Sequence, residues 1–426
     1  MHHSLTLAAL MQGCALFVTA SGLLTTSLSV LATDLGFAPT AVGFIMAMYF
    51  FGYVVGTFVC PVVVTGVGHV RAFSVFAAIG AVASLLHALV VGIVPWALLR
   101  LATGICLAGL YMTVESWLNS ESRSSQRGRV FAIYQIVSLL AVAVGQWLLL
   151  LKPSNPSTPF VLCGILFALA LVPTGLAQVQ QPARVPRVPF EFRHIWSISP
   201  LGVLGTLTVA VANSTFFALG PVYAAASGWS TAEIAAFMST VIVGGVALQW
   251  PIGHLSDRFD RRRIILLTSL LGAGTAASAA ASQDAIVPLF YGSAFLYGGL
   301  TFAMYPLCVA HSNDRAASNE FLRTASALLL IYGIGATVGP TLGGLAVDLA
   351  GTESFFVFLF AAYASMSAIV VVRMVVRPQT APRDQNPFVM LNRTSQSALS
   401  MARGERDADV TAAAGSRQPR AGKPRA

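Results

Sequence analysis

Long apolar runs, separated by short clusters of charge, proline and glycine, make up the chain as far as about residue 376. Each run holds roughly 20 or more residues, the length an α-helix needs to cross about 30 Å of hydrocarbon. The runs are too long for strands, and no two-residue alternation competes with the helical reading. The pattern predicts helices at about 7–32, 40–63, 71–92, 95–118, 129–151 and 159–178, then at about 197–222, 231–252, 262–281, 285–310, 323–346 and 354–376. The first run lacks a Lys/Arg leader region and a clear cleavage site, so it reads as a permanent helix. The fold class expected is an all-α integral membrane protein, with twelve transmembrane helices in two six-helix pseudo-symmetric bundles.

The one long internal polar stretch, Gln178 to His194, carries Arg184, Arg187 and Arg193 and divides the chain almost evenly. The domains expected are an N-terminal bundle over 1–178, a cytoplasmic connector over 179–196 and a C-terminal bundle over 197–376. Over 377–426 the composition turns to Arg, Ser, Ala, Gly and Asp, which predicts a disordered cytoplasmic tail. The two halves echo each other. Leu35-Gly36-Phe37-Ala38-Pro39-Thr40 follows the first helix and Ser227-Gly228-Trp229-Ser230-Thr231 follows the seventh, each a glycine-aromatic turn before a new helix. Cys60-Pro61 with Gly68 and Arg71 stands against Trp250-Pro251-Ile252-Gly253 and its arginine run. Paired six-helix repeats of this kind place a binding site near the midplane, between the halves.

Composition sharpens this picture. Of 426 residues 56% are hydrophobic and 10% charged, with a mean hydropathy of +0.75, whereas a soluble domain carries about 25% charged residues. The net charge of +9 does not point to nucleic acid, because the basic residues sit in alternate loops. With the N-terminus inside, Arg71, Arg123, Arg127, Arg129, Arg258, Arg261–Arg263, Arg315, Arg323 and the residues from Arg373 onward are cytoplasmic, and only Lys152 lies in an outward loop. The positive-inside rule therefore predicts a multi-pass protein of the inner membrane with both termini cytoplasmic. The five cysteines lie in or at the ends of apolar runs without a C-x-x-C pair and read as small core hydrophobes. The seven histidines are scattered, without H-E-x-x-H, and no G-x-x-x-x-G-K-[ST] loop exists. No catalytic residue, metal or cofactor is expected.

The fourth helix is the most informative. At 100° per residue Arg100, Gly104, Tyr111 and Glu115 fall within roughly a 60° arc, and two ionisable groups on one face are too costly to meet lipid. That face is expected on a central cavity or an interhelix seam. Arg100 suits the anchoring of a carboxylate or phosphate, or a bond to helix-end carbonyls. Glu115 is the carboxylate best placed to carry a coupling proton; an ion pair with Arg71, Arg127 or Arg129 is the alternative. Further cavity faces are Gln12, Thr19 and Thr26 on helix one, Asn213, Phe217 and Gly220 on helix seven, and Tyr291, Gly298, Phe302 and Tyr305 on helix ten. Such faces suit an amphipathic or aromatic organic solute, although each residue also fits simple packing.

Gly253-His254-Leu255-Ser256-Asp257-Arg258-Phe259-Asp260-Arg261-Arg262-Arg263 resembles the cytoplasmic loop signature of the major facilitator superfamily. It departs at Asp260, where that family has glycine, and in the first half Val64 replaces the corresponding aspartate. Arg100-Leu101-Ala102-Thr103-Gly104 resembles the family's arginine-x-x-x-glycine pattern on helix four. Gly335-Ala336-Thr337-Val338-Gly339-Pro340-Thr341-Leu342-Gly343-Gly344 is similar to the pattern its proton antiporters carry on helix five, here on the repeat counterpart, helix eleven. Small residues at that spacing also serve close packing. Gly109 to Asn119, Arg127-Gly128-Arg129 and Thr301 to Pro306 resemble the YcaD-like branch.

The resemblance implies that Asp257, Arg258 and Arg261, with Arg71 in the first half, form a cytoplasmic latch. It also implies a monomeric secondary transporter that moves a small organic molecule by alternating access, coupled to H+ and favouring efflux. Uptake of a small metabolite, a non-transporting receptor or scaffold, and a membrane-embedded enzyme are the alternatives.

Overall fold

A computed structural model of the chain describes residues 2–122, 126–151, 155–177, 191–282, 287–317 and 320–376, together with Gln385, Phe388 and Ser395. It contains 12 helices long and apolar enough to cross a membrane. They are α1 (Leu5–Asp34), α2 (Pro39–Val67), α3 (His69–Leu89), α4 (Ile93–Glu121), α5 (Arg127–Leu151), α6 (Thr158–Leu176), α7 (Pro200–Ala226), α8 (Thr231–Arg258), α9 (Arg261–Ser282), α10 (Val287–Asn313), α11 (Phe321–Ala350) and α12 (Ser354–Val376). Apolar side chains such as Val62, Val94, Val144, Leu176, Leu289 and Val375 face outward. Only a hydrocarbon solvent makes such a surface stable. Each helix satisfies its own backbone groups, which that solvent requires.

The first six helices and the last six pack in the same way. In the first half α1 contacts α5 and α6, α2 contacts α4, and α3 contacts α4 and α6; in the second half α7 contacts α11 and α12, α8 contacts α10, and α9 contacts α10 and α12. The repeated turns also share one geometry. Gly36 and Gly228 take φ of 74° and 77°, and both turns close in the same hydrogen-bond pattern: Gly36 N–H to Thr33 O and Phe37 N–H to Ala32 O, against Gly228 N–H to Ala225 O and Trp229 N–H to Ala224 O. This is the left-handed cap that glycine supplies without a Cβ penalty. Ser230 and Glu233 then form a capping box at the start of α8.

The helices extend beyond the expected boundaries by a turn in places, as at the C-terminal ends of α2 and α7, because a helix need not stop where its apolar run does. The connector expected over 179–196 lies partly outside the described residues. Its end forms a short helix, Phe192–Ile198, which docks on the second half: Glu191 pairs with Arg323, and His194 Nε2 lies 2.9 Å from Glu320 Oε1. The tail expected to be disordered lies outside the described residues except at Gln385, Phe388 and Ser395.

With an even number of spans, the start of α1 and the end of α12, toward the termini, lie at one end of the bundle. The halves meet through α2–α11, α5–α8 and α1–α7. Side-chain contacts place a tight seal at the end away from the termini. There, Thr40 donates from its backbone and its hydroxyl to Asp348, and Ser29 donates to Ala218 O at 2.8 Å. Methyl groups at Gly43 and Gly344 would overlap the carbonyls of Pro340 and Pro39.

Candidate functional site

A cavity of about 640 Å³ lies between the halves. Its wall runs from Thr25, Thr26 and Arg100, in the parts of α1 and α4 nearer the sealed end, down to Phe58, Pro61 and Ser326, nearer the opposite end. The site depends on how closely α2 and α4 approach. A methyl at Gly104 would overlap the Tyr49 carbonyl, and one at Gly52 would overlap that of Leu101. Backbones this close carry the Tyr49 ring under the Arg100 guanidinium, with Cζ 4.5 Å from the ring centroid, a cation–π distance. The second half repeats the device. Gly244 and Gly298 let α8 and α10 touch at the Phe295 and Val241 carbonyls, but no arginine stands at the repeat position.

Arg100 is 1% exposed. Its Nη2 donates to Thr25 Oγ1 at 3.2 Å, while Nε and Nη1 have no hydrogen-bond acceptor among the described residues. Around it stands a wall of aromatic rings. Tyr49 and Tyr53 lie 6.2 Å apart, Tyr53 and Tyr111 6.4 Å, and Phe217 and Phe302 6.0 Å between centroids. Thr26 donates to Gln146 Oε1 at 2.5 Å, tying α1 to α5 at the cavity wall.

Of the residues singled out in the sequence, Arg100 and Tyr111 line this cavity, and so do Thr26, Phe217 and Phe302. Glu115 is fully buried beside it: Tyr134 Oη donates to Oε1 at 2.6 Å and Ser395 Oγ donates to Oε2. Arg71 and Arg129 are exposed. Asn213 is not among the lining residues. It is 1% exposed, with both amide atoms lacking a hydrogen-bond partner among the described residues. Gln12 is exposed, and Tyr305 lies one layer behind the wall, its ring 5.3 Å from that of the lining residue Tyr332. Thr19 donates to Ala141 O, and Gly298 serves the α8–α10 contact. Each predicted helix face is therefore shared between the cavity and an interhelix seam.

The signature loop forms a network within the second half. Arg261 is buried, donating from Nη2 to Asp257 Oδ1 at 2.8 Å and from Nη1 to both Asp314 oxygens at 2.8 and 2.7 Å. Asp257 Oδ1 also accepts the backbone N–H of Phe388 at 2.8 Å. Arg258 and Arg71 are exposed. Among the described residues, these hydrogen bonds of Asp257 and Arg261 run within the second half and to Phe388, and the seal lies at the other end of the bundle. Asp260, the departure from glycine, accepts the Arg262 N–H at 3.0 Å and pairs with its guanidinium at 3.2 Å. It acts as the N-cap of α9.

On α11, Gly335, Gly339 and Gly343 face α7 at Leu207, Val211 and Thr215, while Pro340 and Gly344 face α2 at Gly43 and Pro39. The five cysteines are free and buried.

Tyr49, Tyr53, Gln146 and Tyr134 were not singled out in the sequence. A glutamine and three phenols within apolar runs were the available signal, since each polar end needs a partner in hydrocarbon.

The Major Facilitator Superfamily profile matches residues 9–248 and 202–408. An uncharacterized MFS-type transporter of Yersinia pestis (strain Pestoides F) is 25% identical over 82% of this chain and 91% of its own length. The uncharacterized MFS-type transporter YcaD of Escherichia fergusonii is 26% identical over 89% and 96%. Among solved structures, the nucleoside transporter NupG aligns with a TM-score of 0.73 at 13% identity, over 87% of this chain and 100% of its own. A bacterial homologue of the human lysosomal transporter Spinster, in an inward-facing and unoccupied conformation, aligns with a TM-score of 0.69 at 15% identity, over 95% and 97%. With paired bundles, a cavity between them and a profile that spans nearly the whole chain, the protein belongs to the major facilitator superfamily of membrane transporters.

Proposed function

We propose that the protein is a secondary transporter of the inner membrane that moves a small organic solute by alternating access, coupled to protons, with both termini in the cytoplasm. The observation that carries this reading is the 640 Å³ cavity between two bundles that close on each other at the end away from the start of α1. Rocking the bundles would exchange that seal for one at the opposite end. The basic loops put the termini inside by the positive-inside rule, so the cavity faces the cytoplasm in this conformation. The exposed Arg258 and Arg71 are then latch residues in their disengaged state. Export is the favoured direction, supported by the likeness of the α11 signature to that of proton antiporters.

Glu115 is the proposed proton carrier. It is a buried carboxylate beside the cavity that accepts hydrogen bonds from the hydroxyls of Tyr134 and Ser395, and such donors tolerate either protonation state. The test is flux in proteoliposomes of a solute identified by a thermal-shift screen. One pH unit across the membrane supplies about 1.4 kcal/mol per proton, a tenfold accumulation at one-to-one coupling. The wild type should concentrate solute in response to the gradient. Glu115→Gln should still exchange solute but lose gradient-driven accumulation. Flux that ignores the gradient, or accumulation that survives Glu115→Gln, would overturn the coupling.

A further inference from the structure

The cavity holds one unanswered charge. Among the described residues that line it Arg100 is the only charged side chain, with no Asp or Glu beside it on the wall. A guanidinium stays protonated in proteins and offers five N–H donors. Here one bond goes to Thr25 and one face of the guanidinium plane is covered by the Tyr49 ring, while Nε and Nη1 are buried with no acceptor among the described residues. A buried cation without a counter-ion is strongly disfavoured, and an anion supplied from outside would relieve it. The surroundings are otherwise apolar and aromatic, with Tyr49, Tyr53, Tyr111, Phe217, Phe302 and Tyr332 on the wall. The volume suits one small organic molecule.

We infer that this is an oxyanion subsite, and that the solute is a small organic anion: one carboxylate or phosphate group on Arg100 and an aromatic or apolar body against the tyrosine and phenylalanine rings. The inference rests on the transport reading of the cavity and narrows its substrate class. The neutral hydroxyl of Thr25 fixes the guanidinium without neutralising it, and the Tyr49 ring holds it from one side. Arg100 is therefore oriented before the anion arrives, which limits the entropy lost on binding. The α2–α4 glycines matter for the same reason, because they set the ring beneath the cation.

The experiment compares anions with neutral counterparts of the same body on the full-length protein in a non-ionic detergent. Naphthoate is paired with naphthamide, and naphthyl phosphate with naphthol, each titrated by thermal shift and calorimetry. Hydrogen bonds to a charged group imply that at least one anion binds about tenfold or more tightly than its neutral partner. Which pair shows the difference tells carboxylate from phosphate. Arg100→Met should erase the preference, Arg100→Lys should retain part of it, and Thr25→Val should keep it while weakening both members slightly.

Equal binding of anion and neutral partner, no binding by either anion, or a preference that survives Arg100→Met would overturn the inference. Because the anion–neutral comparison is made on the wild type, a variant that fails to fold does not remove the test. Equal binding with gradient-driven flux intact would sink the anion subsite alone. Anion preference without gradient-driven flux would sink the proton coupling alone.

Discussion

At the scale of single residues, the polar groups of α4 are answered unequally, and this decides what each can do. Glu115 meets Tyr134 at 2.6 Å, so Tyr134→Phe withdraws a buried donor and should cost about 1–3 kcal/mol, read as a lower Tm of the purified protein. An unchanged Tm would mean that the hydroxyl contributes nothing to holding the carboxylate. Arg100 is the opposite case, with two nitrogens still without acceptors among the described residues. Asp260 shows why a departure from a family pattern can be structural: its carboxylate caps α9 and pairs with Arg262. Asp260→Ala should destabilise by about 1 kcal/mol, the usual worth of an N-cap, without changing ligand affinity in the distant cavity. A changed affinity would assign Asp260 a part in the conformational cycle.

At the scale of elements, glycine decides which helices touch. The α2–α4 and α8–α10 contacts each depend on paired glycines against carbonyls, and the α2–α11 seal depends on Gly43 and Gly344. Gly43→Val puts bulk where the Pro340 carbonyl now sits. Overpacking of this kind costs about 1–3 kcal/mol, here in the sealed conformation alone. The equilibrium should therefore move roughly 5- to 150-fold toward opening at that end. Spin labels at the exposed positions Leu35 and Leu349 should report a longer separation in Gly43→Val than in wild type. An unchanged distance distribution would show that the seal does not depend on that contact. The twelve elements themselves were legible from the apolar runs. Their pairing was legible only in part, because the glycine turns announce a repeat without saying which helices pack.

At the scale of the whole molecule, the seal at one end and the cavity reaching toward the other are, on the proposed alternating-access reading, one state of a two-state cycle. The orientation of that state in the membrane has a direct test. With all five native cysteines buried, background labelling by a membrane-impermeant thiol reagent should be low. Glu353→Cys, exposed at the sealed end, should react in intact spheroplasts, whereas Arg258→Cys, exposed at the terminus end, should react only after permeabilisation. The reverse pattern would invert the topology and with it the inward-facing assignment.

The sequence alone determined the membrane class, the number of spans, the repeat and the placement of basic loops. Each of these follows from local composition: an apolar run must cross, and a glycine-aromatic turn must end a helix. It also drew attention to Arg100, Tyr111 and Glu115, since charge within an apolar run is costly wherever the helix lies. Tertiary structure alone decided which polar faces meet open space. Asn213 and Tyr305 look as functional in sequence as Arg100 does, yet they lie off the cavity wall, while Tyr49 and Tyr53 line it. The reason is geometric. Helical periodicity fixes which residues share a face, but the partner of that face is set by contacts between residues far apart in the chain.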